Sequence, residues 1–353
     1  MKITRVGLDL AKRVFQVHGV DELDRAQVRK QLSRADVLEF FAQLPPCIIG
    51  MEACGGAHYW ARELTKLGHT ARLMAAQFVN PYRKSGKNDI NDAEAICEAV
   101  GRPNMRFVPI KSDEQQSVLT MHRARTLSVS NRTAQVNQIR GLLGEFGLIV
   151  PVGIKRLRKQ LPEILADAEN GLPHLARQIL ADLLEEWHHF DERIEHYDSE
   201  LAQLASHSEP ARRLMALDGI GPITATAVVA SVGNAQVFKS GRQFAAWLGL
   251  TPRQYSSGGT TRLGRITKRG DRYLRMLLVH GARARLRFVA RKTDPKSAWA
   301  RRLKERRHVN VAAVALAAKH ARIMWALLAK GTSYCSAGVN DCRMSACALN
   351  EMV

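Results

Sequence analysis

Residues 3–20, ITRVGLDLAKRVFQVHGV, decide the reading of the N-terminal third. Two β-rich runs, 3–10 and 14–20, flank a short turn, the pattern of an antiparallel hairpin. Outward from it, residues 38–44 read as helix. CIIGMEA (47–53) is a short apolar run suited to a buried central strand. A helix follows over 57–67 with Gly68 as its stop signal. TARLMA (70–75) is a further strand, and 88–100 is a helix with Asn88 or Asp89 near its cap. Strand pair, helix, strand, helix, strand, helix is a mixed α/β pattern of roughly a hundred residues, placed at 1–110.

Composition changes after Pro109. Residues 112–146 and 174–206 are long, polar-faced helical stretches with few breakers, separated by a Gly/Pro-containing connection at 147–172. Such a pair predicts an antiparallel hairpin or coiled-coil arm over 111–206. LMALDGIGPITATAVVASVG (214–233) then reads as helix, Gly-Ile-Gly-Pro turn and helix, a helix-hairpin-helix whose turn amides suit a phosphate. An ordinary glycine-capped helical turn fits the same residues. A mostly helical C-terminal domain is expected over 207–330, and the aperiodic residues 331–353 as a flexible tail. There are no internal repeats.

The chain has 353 residues and 46% hydrophobic content, which excludes wholesale disorder. It holds 53 Lys and Arg against 33 Asp and Glu, for a net charge of +20 and a pI near 10.2. The excess is concentrated: residues 251–330 carry 21 of the cations and three of the acids, which leaves the rest nearly neutral. Charge gathered in this way marks a docking surface for a polyanion, and nucleic acid is the usual one. The six cysteines form no CxxC pair, so no structural zinc site is expected. No signal peptide opens the chain, and apolar runs such as 309–318 look too short and too charge-flanked to span a bilayer. The expectation is a cytoplasmic, nucleoid-associated protein with reduced thiols and no membrane partner.

Four acids carry the candidate chemistry. Asp9 ends the first strand in GLDLAK, and Glu52 ends a presumed neighbouring strand in MEACGG. Either alone has a bland explanation, a turn cap or a partner for Lys12. Asp89 and Asp92 lie three apart at a helix start in KNDINDAEA, on one helical face. As a pair they read as decoration of the helix dipole. Two acids at adjacent strand ends and two on a following helix can converge, however, and hard oxygen ligands of that kind suit Mg²⁺ or Mn²⁺. Paired ions at such a site polarise a phosphodiester and activate the attacking oxygen, the logic of RNase H-like nucleases.

Those four residues resemble the DEDD tetrad of the RuvC-like domain in the insertion-sequence 110 family of transposases. GIGPITA (219–225), GLTPRQYSSGG (249–259) and GRITKRGDRYLR (264–275) are similar to that family's second, transposase domain, so the resemblance covers about residues 3–330 in the right order. It implies a homo-oligomeric recombinase, dimer or tetramer, with a structured guide RNA from its own element that pairs with double-stranded donor and target DNA. It also implies a serine that bonds covalently to DNA. The matching residue is Ser257, directly before Gly258, with Ser256 left open as the neighbouring register. Arg253, Arg262, Arg265, Lys268 and Arg269 lie close in sequence, suited to holding a phosphate and stabilising its transition state. Arg272 and Arg275 open the basic helices that follow.

A Ser/Gly/Thr loop is the composition-only reading of the same stretch. Tyr255 is a rival nucleophile, but no Arg/His constellation of the tyrosine recombinases accompanies it. The reading is therefore a transposase that cuts and rejoins DNA through a phosphoserine, its active site composite across two subunits. Its rivals are a RuvC-like metal-dependent junction resolvase and a non-catalytic RNA- or DNA-binding protein, the latter opposed by the intact tetrad.

Overall fold

The expected hairpin is present: β1 (Arg5–Leu10) and β2 (Val14–Val20) pair antiparallel, with Leu8 opposite Val17. This computed structural model describes residues 2–334 apart from Ser85 and Lys87, so most of the expected tail lies outside the described residues. The chain divides into two units, residues 1–115 and 116 onward.

In the first unit, β3 (Ala26–Ser33) pairs antiparallel with β2 at the sheet edge. Sequence reading missed it, because Leu32 is its only buried residue and Arg29, Lys30 and Gln31 are exposed. Backbone pairing makes this strand, and charge blunts its open edge. After α1 (Val37–Ala42), β4 (Ile48–Glu52) runs parallel to β1, with Gly7 opposite Gly50 and Leu8 opposite Met51. α2 (Ala57–Lys66) ends before Gly68, whose φ of 90° suits a residue without Cβ. β5 (Thr70–Met74) is parallel to β4. Helix α3 (Ala76–Val79) and a 3₁₀ turn at Asn80–Tyr82 lead to α4 (Asp89–Val100). The cap of α4 is Asn88, whose Oδ1 accepts from the Asn91 amide at 2.7 Å, worth about 1 kcal/mol. β6 (Phe107–Val108) completes the order β3-β2-β1-β4-β5-β6. One sheet face, with Leu8, Phe15, Val17, Ile49, Met51 and Leu73, is covered by Phe41 of α1 and Trp60 and Leu64 of α2.

In the second unit, α5 (Asp113–Glu145, starting at the junction) and α7 (His174–His207) run antiparallel. Arg125 pairs with Asp198, Arg132 with Asp191 at 2.9 Å, and Gln135 donates to Glu186 at 2.8 Å. Leu180, Trp187, Ile194 and Leu201, each seven residues apart, are buried along α7. The connection contains α6 (Ile154–Ala166), whose Leu157 and Leu161 pack with Leu143, Leu180 and Trp187. Pro162 disguised it as a linker: the lost amide bond costs less than burying that apolar face gains.

The remaining elements are α8 (Glu209–Met215), α9 (Pro222–Val232), α10 (Gly241–Trp247), β7 (Pro252–Ser257), β8 (Thr260–Ile266), α11 (Arg272–Arg287), α12 (Pro295–Arg306) and α13 (Val309–Lys330). Their helices share a core that includes Leu214, Val228, Phe244, Leu274, Leu278, Leu316 and Met324. Between α8 and α9, a Cβ on Gly219 would lie 2.7 Å from the Gly281 carbonyl oxygen and one on Gly281 would lie 2.0 Å from that of Gly219. The Gly-Ile-Gly-Pro turn is thus pressed against α11. The apolar run at 309–318 continues to Lys330, giving a 22-residue helix long and apolar enough to cross a membrane by length and composition. Its buried side is packed among the helices of its own unit.

Candidate active site

Gly7 and Gly50 explain how α4 approaches the strands that carry Asp9 and Glu52. A Cβ on Gly7 would come 2.1 Å from the Ala93 carbonyl oxygen, and one on Gly50 would come 2.7 Å from the Val100 Cβ. Helix α4 therefore lies directly against β1 and β4, with its N-terminal part nearer the Asp9 end. Strand alternation places Asp9, two residues after Gly7, and Glu52, two after Gly50, on that same face. The last paired step is Leu8 with Met51, so the two acids come level just beyond it. Asp89 and Asp92 lie in the first turn of α4.

The electrostatics report the crowding. Burial, then the charges of Asp92, Asp89 and Glu52, push the Asp9 carboxyl up to about 6. Burial also raises the Glu52 carboxyl; Arg83 opposes this and Asp92 adds to it. Asp9 is thus within electrostatic reach of the other three expected residues, and Glu52 of Asp92, with Asp89 the most exposed of the four. Among the described residues no three His, Cys, Asp or Glu side chains are grouped closely enough to hold a metal ion as they stand. An all-carboxylate donor set under mutual repulsion has the chemistry a hard divalent cation requires. Sequence reading missed Arg83, just before α4, whose Nε stands 2.6 Å from Asp92 Oδ1. Its only signal is the cation pair Arg83-Lys84 preceding the acids; Lys84 bonds Glu94 at 2.6 Å.

Ser257 lies on a β-ribbon, which replaces the loop that composition suggested. Ser257 pairs with Thr260, Ser256 with Thr261, Tyr255 with Arg262 and Gln254 with Leu263. The two-residue turn Gly258-Gly259 has φ of 54° and 80°, which joins right-twisted strands without splaying them. A Gly-Gly pair between two runs is a hairpin signal that was legible in the sequence. Alternation separates the two serines. Ser257 shares a face with Tyr255, Thr260 and Arg262, while Ser256 shares the other with Gln254, whose Nε2 donates to its Oγ at 2.8 Å. Tyr255, Ser256, Ser257, Thr260 and Arg262 line an open recess of about 440 Å³.

The nominated cations are placed unequally. Arg262 is on the Ser257 face, and the Arg253 Cβ lies on the same side, 3.9 Å from the Cβ position of Gly264. Arg265 falls on the opposite face by alternation. Lys268, Arg269 and Arg272 are exposed beyond the ribbon. Arg275 is engaged within the fold, its Nη1 donating to the carbonyls of Leu248 at 3.0 Å and Arg269 at 3.1 Å. Nor do all the basic helices face solvent. Buried Arg285 bonds Asp218 at 3.0 Å and Asp294 at 3.3 Å, and burial lowers the Lys296 ammonium to about 8.

Comparison with known proteins agrees with both halves. A family model described as "Transposase", of the DEDD type in the IS110 group, matches residues 6–147, and one described as "Transposase IS116/IS110/IS902 family" matches residues 211–298. The chain is 55% identical to a "Probable family 20 transposase" of Pseudomonas aeruginosa, over 95% of this chain and 99% of that one. It is 45% identical to the "Transposase for insertion sequence element IS1111A" of Coxiella burnetii, over 93% and 90%. It is 40% identical to the "Transposase for insertion sequence element IS1328" of Yersinia enterocolitica, over 94% and 98%. Both family models and all three relatives are of one class, the transposases. The chain belongs to the IS110 family of insertion-sequence transposases.

Proposed function

We propose that this transposase cuts and rejoins DNA strands through a covalent bond between Ser257 and a DNA phosphate. Asp9, Glu52, Asp89 and Asp92 of a RuvC-like unit hold the divalent cation, Mg²⁺ or Mn²⁺. The observation that carries the reading is the convergence built by Gly7 and Gly50: a small α/β unit sets α4 directly on two strands and thereby crowds four carboxylates. When bound, the cation supplies charge neutralisation at the scissile phosphate. The Ser257 Oγ attacks phosphorus, an Oγ–P bond forms, and the bond from phosphorus to the departing strand breaks, its oxygen taking a proton. Attack by the hydroxyl of another strand reverses the step, so no ATP is needed. Arg262 and Arg253, on the Ser257 face, stabilise the pentacovalent charge. Arg265, Lys268, Arg269 and Arg272 hold flanking phosphates. Arg275 sets the start of α11 that carries Arg272.

The remainder of the reading is a coiled-coil arm over 111–206, a helix-hairpin-helix in 207–330, a structured guide RNA from the element, and a dimer or tetramer. In that assembly the serine of one subunit meets the tetrad of another, in the cytoplasm at the nucleoid. The test is denaturing electrophoresis of labelled DNA incubated with protein, element RNA and Mg²⁺. A protease-sensitive protein–DNA adduct is expected. Cut DNA without any adduct would favour a junction resolvase that uses water.

A further inference from the structure

Arg83 sits at the mouth of the carboxylate site with its side chain 28% exposed, against Asp92 at 13%. Its charge is felt by Glu52 as well as by Asp92. We propose that Arg83 is the resident counter-cation of this site: in the metal-free protein its guanidinium neutralises Asp92, and a divalent ion entering among the carboxylates displaces it. The proposal rests on the reading that the tetrad holds a divalent cation.

Three observations point this way. First, a carboxylate that feels three others needs positive charge nearby when no ion is bound, and among the described residues Arg83 is in salt-bridge contact with one of the four. Second, the contact is one of charge without alignment. Arg83 Nε and Asp92 Oδ1 approach to 2.6 Å, yet neither atom makes a hydrogen bond of acceptable geometry. Arginine held by a carboxylate ordinarily locks into an aligned or bidentate fork, and this pair lacks one. Third, its neighbours secure the segment without it. Lys84 makes an aligned hydrogen bond to Glu94, the Arg83 amide donates to the Asn80 carbonyl at 3.2 Å, and Arg102 lies over the Tyr82 ring at 5.6 Å. The backbone is thus attached independently of the Arg83 side chain. A guanidinium released beside a bound cation is suited to a DNA phosphate oxygen, which links metal loading to substrate contact.

Linkage fixes the sign: if the metal weakens the Arg83–Asp92 pair, that pair weakens metal binding by the same factor, commonly about 5- to 150-fold. The test is Mn²⁺ binding by full-length protein without DNA, followed by calorimetry and by the Mn²⁺ resonance signal. Arg83→Gln should bind about tenfold more tightly than wild type, and Arg83→Lys, which keeps the charge, should stay near wild type. Metal-free Arg83→Gln should melt below wild type, and the gap should close at saturating Mn²⁺, an effect a merely structural arginine would not produce. Should Arg83→Gln fail to fold, Arg83→Met carries the same expectation. Equal or weaker Mn²⁺ binding by the neutral variant overturns the counter-cation role while leaving the metal reading intact. Absence of Mn²⁺ binding in both wild type and variant overturns the metal reading, and this proposal with it.

Discussion

Around Asp9 and Glu52 the backbone is held by strands on either side and by a helix laid directly on top, whereas around Ser257 it is held only at the base of a ribbon. Every residue of β7 and nearly all of β8 are exposed. The base is firm: Thr267 donates to Thr251 at 2.9 Å, Lys268 to Gly249 at 3.1 Å, and a Cβ on Gly270 would lie 1.9 Å from the Trp247 carbonyl oxygen. Beyond that clamp, two strands without a covered face are marginally stable on their own. The difference separates two ways of placing a polar side chain that the proposed function uses. The carboxylates are preorganised by packing, so their geometry exists before any ligand arrives. The serine is extended into solvent, and what fixes it is whatever the ribbon docks on. Electrostatics follow the same division: crowding pushes the Asp9 carboxyl to about 6, while Ser257 has only arginines as charged company on its face.

The largest expected effect sharpens this comparison at the ribbon. Ser257→Ala should remove the protein–DNA adduct and lower recombinant product by at least about 10³-fold, as loss of a nucleophile does. Its melting temperature and DNA affinity should stay unchanged, because nothing in the core touches it. Ser256→Ala, on the other face, should be mild. An adduct that survives in Ser257→Ala and vanishes in Ser256→Ala would move the nucleophile by one residue.

At the packed site, loss of activity should come with a gain in stability. Asp9→Asn should abolish strand cleavage in Mg²⁺ yet stabilise the metal-free protein at pH 7 by about 1 kcal/mol, discounted for partial exposure. The sign follows from the raised carboxyl. Between the ordinary Asp value of 3.8 and about 6, the folded state binds more protons than the unfolded one, so wild-type stability falls as pH rises through that window. Denaturant melts of metal-free protein from pH 4 to pH 7 should show this slope in wild type and a flatter one in Asp9→Asn. Equal slopes would mean that the four acids are not crowded.

Glycine substitutions compare the two backbones directly. Gly7→Ala drives a Cβ into the Ala93 carbonyl and should cost about 3 kcal/mol, or unfold the first unit, by overpacking. Gly258→Ala meets no neighbour within 4 Å and strains only a positive φ, so it should cost about 1 kcal/mol and act on the ribbon alone. Thermal melts decide this, and similar losses at both positions would break the contrast. The smallest effects should come from single surface cations. Replacing Arg265, Arg269 or Arg272 should each lower the salt slope of DNA binding by about one phosphate contact, whereas exposed cations before residue 110, Arg83 at the carboxylate site apart, should leave it unchanged. Arg285→Gln should instead destabilise the fold, since it bonds Asp218 and Asp294 inside.

Much of the first unit was legible because its strands alternate or run apolar and its helices have caps and stops. β3 was not, since an edge strand with one buried residue carries almost no hydrophobic pattern. α6 was hidden by Pro162, and the apolar run at 309–318, expected to be too short to span a bilayer, continues through Lys319 and Arg322 to Lys330. The four acids were readable as residue types at strand and helix ends, and the glycines two positions before Asp9 and Glu52 were a further signal. Arg83 had only the cation pair Arg83-Lys84 as a signal, and a cation near acids in sequence says nothing about which carboxylate it meets.

By itself, the sequence determined residue chemistry and local periodicity: four carboxylates, a serine before Gly-Gly, a basic C-terminal stretch, and strands and helices in a mixed order. These are fixed by side-chain type and by contacts within a few residues. Only the tertiary structure decided that α4 lies on β1 and β4 tightly enough to crowd the acids and raise Asp9. It alone put Ser256 and Ser257 on opposite faces of a ribbon, turned Arg285 inward and set Arg83 on Asp92. Those outcomes depend on close packing between residues far apart in the chain, where the presence or absence of one Cβ determines what can approach.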